Sequence, residues 1–278
     1  MNSITPSDKT VVVRGAGDLG SGVIYRLWRT GFNPLVLERQ QPVTVRRQVA
    51  YATAVYDGTT TVQGVKAKQI QTVDEVDEFT AEIPVLVDEE ATSLNHLKPD
   101  ILVDATMPRY SDKVRSNRSM APLTIGLGPG FRAGDDVEYV IETNRGHDLG
   151  RVIEQGSAED PTGEPGEISG ETYSRVLRAP REGQFETSHT PGDTVEKGDR
   201  IGQVNGQPVK AGVSGCIRGL IQPGITVSEG VKIGDVDPRG ELKNVPTISD
   251  KALAIAGGVL EAIFFQFYRK SGGEVEPG

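Results

Sequence analysis

Apolar positions along this chain change their period three times. From Thr10 to Ile141, short aliphatic runs alternate with polar stretches. Val11-Val12-Val13, Pro34 to Glu38, Ile83 to Asp88, Ile101 to Ala105, Leu123 to Leu127 and Val137 to Ile141 each have the length and β-branched content of a buried strand. Val23, Ile24 and Leu27 repeat at helical spacing, Glu89 to Leu97 predicts a second helix, and Thr61 to Gln69 reads as extended. Strands alternating with helices predict an α/β domain over residues 1–150, a Rossmann-like doubly wound parallel sheet. Residues 151–172 then lose all apolar period. Gly, Pro and Ser crowd 155–170, which marks a domain junction or a lid over the crevice.

The next regime repeats itself. Shifting 179–205 by 32 residues superimposes it on 211–237 without a gap: Ala179 on Ala211, Gly183 on Gly215, Pro191-Gly192 on Pro223-Gly224, Thr194-Val195 on Thr226-Val227 and Ile201-Gly202 on Ile233-Gly234. Two copies of one strand-and-turn unit that bury a shared face predict a small all-β domain over 173–245. Asn205-Gly206, at the join, is a hairpin signal. The spacing resembles the barrel-sandwich of biotinyl and lipoyl carrier domains. Carriers bear their modified lysine at that hairpin tip, and here the nearest lysine is Lys210, so no covalent biotin or lipoate is expected. The single cysteine, Cys216, reads as a small buried side chain.

The last regime is helical. Ser249 or Asp250 caps a helix whose stripe runs Leu253, Ile255, Ala256, Val259, Leu260, Ile263, Phe264 and Phe267. Gly257-Gly258 costs about 1 kcal/mol per glycine relative to alanine, so something must approach closely there. This helix, over 246–270, is expected to pack back on the first domain, and 271–278 reads as a disordered tail.

Chemistry concentrates first at Gly15, Gly17 and Gly20, which fall at GxGxxG spacing between a strand and a helix. Gly15 permits the turn, Gly17 admits a pyrophosphate to the backbone, Gly20 lets the helix lie on the strand, and Asp18 and Leu19 complete the loop. Glu38 ends the second strand where such folds bind a ribose hydroxyl. Arg46 and Arg47 sit where an arginine pair clamps anions. Strand ends should gather Asp104, Thr106, Gly128 and Gly130 on the same rim, with Arg145 adding a cation. His147 is a candidate acid or base, as are Lys251 and Asp250 near the final helix. Acidic pairs lack a His or Cys at ligand spacing, so no metal site is expected.

Composition narrows the classes. The 278 residues carry net charge −9, which argues against a nucleic-acid-binding surface. Mean hydropathy is −0.33, no apolar run of about 18 residues stands out, and the N-terminus lacks a signal-peptide pattern; a cytoplasmic, membrane-free protein is expected. One cysteine excludes an internal disulfide.

Taken together, VVVRGAGDLGSGVIYRLWRTGF, PVTVRRQVAYATAVYDG, GLGPGFRAGDDVEYVIETNRGHDLGR, KIGDVDPRG and ISDKALAIAGGVLEAI resemble the selenium-dependent molybdenum hydroxylase maturation family. That resemblance implies an accessory factor with a molybdenum hydroxylase as client, binding NAD(P) or a molybdopterin dinucleotide on the glycine corner. Two other readings stay open: an NAD(P)-dependent oxidoreductase with His147 or Lys251 as acid–base partner, and a nucleotide-sensing scaffold without catalysis. A homodimer is expected.

Overall fold

The computed structural model describes residues 5–76, 81–108, 116–161 and 163–269; the predicted tail, 271–278, lies outside them. The first half begins with β1 (Thr10–Arg14), α1 (Asp18–Arg29) and β2 (Asn33–Glu38). A short helix, α2 (Ala54–Asp57), leads into β3 (Thr59–Val62) and β4 (Val65–Ile70). These two form a hairpin, because Gln63 and Gly64 both turn left-handed (φ 46° and 84°) where one extended segment is predicted. Then come β5 (Ile83–Val87), α3 (Leu94–Leu97), β6 (Ile101–Asp104), β7 (Leu123–Leu127), β8 (Tyr139–Ile141) and β9 (Val152–Ile153). All nine strands form one sheet, in the order β3-β4-β5-β2-β1-β6-β7-β8-β9.

Period-two burial splits β1 between two cores. Val11 and Val13 face Val23, Ile24 and Leu27 of α1, and also Ile255, Ala256 and Val259 of α4 (Asp250–Phe264). Val12 faces the other way, with Leu35, Leu86, Leu94 and Leu102. Both long helices therefore cover one face, and the described residues give the opposite face the single turn of α3 with flanking loop. The helix predicted over Glu89 to Leu97 shortens for a local reason: the Asp88 carboxylate accepts the Thr92 and Ser93 N–H groups (3.0 and 2.7 Å) and holds the chain in a turn.

The second half adds β10 (Val176–Arg178), β11 (Gly183–Glu186), β12 (Thr194–Val195), β13 (Arg200–Val204), β14 (Gln207–Lys210), β15 (Gly215–Leu220), β16 (Thr226–Val227) and β17 (Lys232–Asp237). They make two four-stranded antiparallel sheets, β10-β17-β15-β12 and β14-β13-β11-β16, which share a core of Phe185, Ile201, Val204, Ile217, Leu220, Ile233 and Val236. Cys216 is buried in β15, and burial pushes its thiol up.

The fold class needs correction. A Rossmann-like doubly wound parallel sheet requires helix-length crossovers on both faces. Here the sheet is mixed, with β3 and β9 antiparallel to their neighbours, and its long helices lie on one side. Nor do the antiparallel sheets stand as a free biotinyl/lipoyl-like barrel-sandwich. Gly219 of β15 lies so close to the Val45 carbonyl that an added Cβ would sit 2.7 Å from its oxygen. The Arg47 Nη1 also donates to Gln222 Oε1 at 2.7 Å, and Gln48 Nε2 to the Pro191 carbonyl at 3.0 Å. What forms is a large mixed sheet with two antiparallel sheets seated against it.

Helix α4 is fixed by its cap and its glycines. The Ser249 hydroxyl accepts the Ala252 N–H at 3.2 Å. With its continuation to Tyr268, the segment from Asp250 is long and apolar enough to cross a membrane, contrary to the run length expected. In this fold Ala252, Ile255, Ala256, Val259, Ala262 and Ile263 are buried against the first domain.

Candidate functional site

The glycine corner sets one wall of a cleft of about 840 Å³. Gly15 turns left-handed (φ 83°) and its N–H donates to the Leu37 carbonyl at 2.8 Å. Gly20 rests on Gly15: a Cβ there would fall 2.1 Å from the Gly15 oxygen, so the helix lies as close as the backbone allows. Leu19 packs into the core beside it. Gly17 has the opposite setting, because a Cβ on it would meet only Thr44 Oγ1, at 3.9 Å, and would project into the cleft.

Glu38 does not present its carboxylate to a ribose. Its Oε2 accepts the Ala16 N–H and its Oε1 the Arg39 N–H, both at 2.8 Å, and burial raises its pKa. The acid predicted to hold a ligand therefore holds the corner itself. It also consumes a corner amide that a pyrophosphate would use.

Arg46 and Arg47 are likewise committed to the protein. Arg46 Nη1 donates to Asp18 Oδ1 at 3.1 Å, and its Nη2 to the Asn244 and Thr247 carbonyls at 3.0 and 2.7 Å. Arg46 lines the cleft while tying α1 to the chain ahead of α4. Asp104 is fully buried and receives Arg14 Nη1 at 3.0 Å, together with the hydroxyl of Ser116 and the N–H and hydroxyl of Thr106. That pair is scaffold: Arg14 and Thr106 line the cleft, while Asp104 itself does not.

The remaining predicted residues fall elsewhere. Gly128 packs on Thr143, and Gly130 lies so close to the Pro108 carbonyl that a Cβ would sit 1.9 Å from its oxygen. Arg145 pairs with Asp250 at 3.0 Å in an adjoining hollow of about 430 Å³ that shares Arg175 and Arg218 with the cleft, and both side chains are exposed. His147 is exposed outside both hollows. Lys251 does reach the cleft. Gly22 of α1 meets Ala252 of α4 so closely that a Cβ would sit 2.8 Å from the alanine Cβ, and this contact lays the first turn of α4 beside Asp18.

The opposite wall comes from the antiparallel sheets and the turn that enters them, residues not predicted from the sequence to belong to a site. Arg175, Arg218, Lys232 and Asp235 line it. Arg175 is fixed by Asp235 Oδ2 at 3.0 Å and by the Gly166 carbonyl at 2.7 Å. The same oxygen of Asp235 is then shared with Lys232 at 3.7 Å and Arg218 at 4.0 Å. Three cations thus depend on one carboxylate, and Arg218 Nε is buried without a hydrogen-bond partner. Burial lowers the pKa of Lys232, with Asp235 opposing and the two arginines reinforcing the shift. Burial also lowers that of Lys251, with Arg145 assisting against Asp18, Glu142 and Asp250. One signal for this wall was present in the sequence. Across the 32-residue repeat, Glu186 and Gln203 of the first copy are replaced by Arg218 and Asp235 in the second.

Acids at the far end of the cleft are already partnered and are not aimed at these cations. Both oxygens of Glu38 and both of Asp88 accept backbone N–H groups, and Glu89 pairs with Arg39 at 3.5 Å. Among the described residues no group of three His, Cys, Asp or Glu side chains is placed to hold a metal ion.

The chain is 46% identical over 261 residues to the uncharacterised protein YqeB of Escherichia coli (strain K12). The match covers 93% of this chain and 48% of that protein, so the chain spans about half the length of the curated relative. No protein-family model matches. Among solved structures, the chain is similar to an aspartoacylase family protein from Mesorhizobium loti, at 14% identity and a TM-score of 0.28, covering 82% of this chain and 84% of that one. It is also similar to a succinylglutamate desuccinylase/aspartoacylase from Rhodobacter sphaeroides, at 15% identity and a TM-score of 0.27, covering 82% and 85%. A third is the ectoine utilization protein EutE from Ruegeria pomeroyi, at 13% identity and a TM-score of 0.25, covering 82% and 84%.

These findings correct the functional expectation. The structures found are of aspartoacylases, desuccinylases and an ectoine utilization protein, not of a molybdenum hydroxylase accessory factor or an NAD(P)-dependent oxidoreductase. Molybdenum, selenium and Rossmann NAD(P) chemistry find no support in these neighbours. The nucleotide-sensing scaffold goes too, since it relied on the same corner and on a ribose contact that Glu38 does not offer.

Proposed function

We propose that the cleft binds a small molecule bearing a phosphoryl or pyrophosphoryl group. The anion sits between Arg218 and Lys232, and the rest of the ligand extends past Gly17 toward Lys251. The observation that supports this reading is the local charge excess. Arg175, Arg218 and Lys232 share the one carboxylate of Asp235, in a chain whose net charge is −9. A buried cation without its counter-charge is costly, and a polyanion supplies the missing partner with charge-assisted hydrogen bonds. Arg218 is suited to that contact, because its guanidinium lines the cleft with its closest carboxylate only at 4.0 Å.

Titration calorimetry with inorganic pyrophosphate tests the reading, comparing wild type with Arg218→Gln. Losing one charge-assisted contact of about 1.5–3 kcal/mol should weaken binding by about ten- to a hundredfold. Gly17→Val, which fills open cleft space, should weaken a larger pyrophosphate ester while leaving the melting temperature near that of wild type. An absence of binding, or equal affinity in Arg218→Gln, refutes the proposal.

A further inference from the structure

We infer that Lys251 is a nucleophilic amine that forms an imine with a phosphate-bearing aldehyde or ketone held in this cleft. The inference rests on the anion-binding reading above and adds the ligand's second functional group.

Two lysines line the cleft, and their settings differ. Lys232 lies 3.7 Å from the carboxylate of Asp235. Lys251 makes no ion pair among the described residues, although it stands in a polar cleft within the field of Asp18, Glu142, Asp250 and Arg145. Its backbone is fixed, because it precedes Ala252, which is wedged against Gly22, and follows the capped first residue of α4. An amine must be neutral to attack, and desolvation beside other cations is one way proteins keep a lysine neutral. Burial moves Lys251 in that direction, with Arg145 reinforcing it.

The step balances without an outside oxidant or reductant. The amine lone pair adds to the carbonyl carbon, and the C–N bond forms as the carbonyl π pair moves to oxygen. Loss of that oxygen as water, carrying both amine hydrogens, then leaves a C=N bond. Arg218 and Lys232 would hold the phosphate meanwhile, and the open side of Gly17 leaves room for the carbon skeleton.

Pyridoxal 5′-phosphate, used as a probe aldehyde and followed by borohydride reduction and peptide mapping, tests this on the full chain. Lys251 should be labelled several-fold faster than Lys243, whose side chain is 79% exposed. Inorganic pyrophosphate should suppress labelling at Lys251 and not at Lys243. Lys251→Arg, confirmed as folded by its thermal melt, should lose the cleft adduct. Pyrophosphate binding with no selective labelling of Lys251, or labelling that pyrophosphate does not protect, overturns this inference alone. Absence of pyrophosphate binding overturns the anion-binding reading and this inference with it.

Discussion

Adjacent glycines in α4 should respond to the same substitution with opposite signs. Gly257 and Gly258 both cost helix stability, about 1 kcal/mol each against alanine. An alanine Cβ at Gly257 would meet nothing within 4 Å, so Gly257→Ala should recover most of that amount. At Gly258 the added carbon would lie 2.1 Å from the Gly150 carbonyl oxygen and 3.0 Å from Ile141 Cγ2. The first of these is backbone, and it cannot rotate away. Gly150 is itself pinned, with φ of 84° and its own missing Cβ only 2.6 Å from the Ala254 oxygen. Overpacking of this kind costs about 1–3 kcal/mol or more, which the helix-propensity gain offsets only in part. Chemical denaturation followed by circular dichroism, backed by thermal melts, reads both variants. Gly257→Ala should melt about 2–4 °C above wild type and Gly258→Ala below it. Equal effects, or a stabilised Gly258→Ala, would refute the claim that α4 crosses the Gly150 loop backbone to backbone.

Two further outcomes follow from the charge groups. Lys232 and Lys251 have folded pKa values below 10.5, so between the folded value and 10.5 the unfolded chain binds more protons. Stability should therefore rise with pH across that window and stay level below it, and urea denaturation of the Lys232→Met/Lys251→Met double variant should show a flatter slope. Asp104→Ala would leave Arg14, only 4% exposed, without its buried carboxylate. That loss should cost about 3–5 kcal/mol in denaturation, with no compensating effect from Asp104→Asn beyond partial recovery.

The sequence was most legible where structure is decided locally. The corner from Gly15 to Gly20 could be read because only glycine tolerates the turn and the helix contact, whatever the rest of the chain does. Strands β1, β2, β5, β6 and β7 could be read from their apolar runs. The doubly wound architecture could not. It depended on a helix over Glu89 to Leu97 that Asp88 interrupts by capturing two amides, a side-chain choice invisible to periodicity. Glu38 shows the same limit. Its place at the strand end was evident, whereas the inward turn of its carboxylate onto Ala16 depends on the tertiary setting. Arg46 and Arg47 appeared as a clamp, yet beyond Asp18 their partners are Asn244, Thr247 and Gln222, 175 to 201 residues away.

The cleft gathers its cations where the two parts of the chain meet, and that placement explains both its chemistry and its cost. Cations spread over an acidic surface would each find a nearby carboxylate and contribute little. Inside the boundary, Arg175 takes the short contact with Asp235, and Arg218 and Lys232 are left with the longer ones. The docking contacts of Arg46, Arg47 and Gln48 hold the walls together against that mutual repulsion. A neutral ligand would leave the repulsion in place, and a cation would add to it. An anion bound there, as proposed, would pair the charges that Asp235 shares too thinly, so the energy stored in assembling the cleft would become selectivity for negative charge.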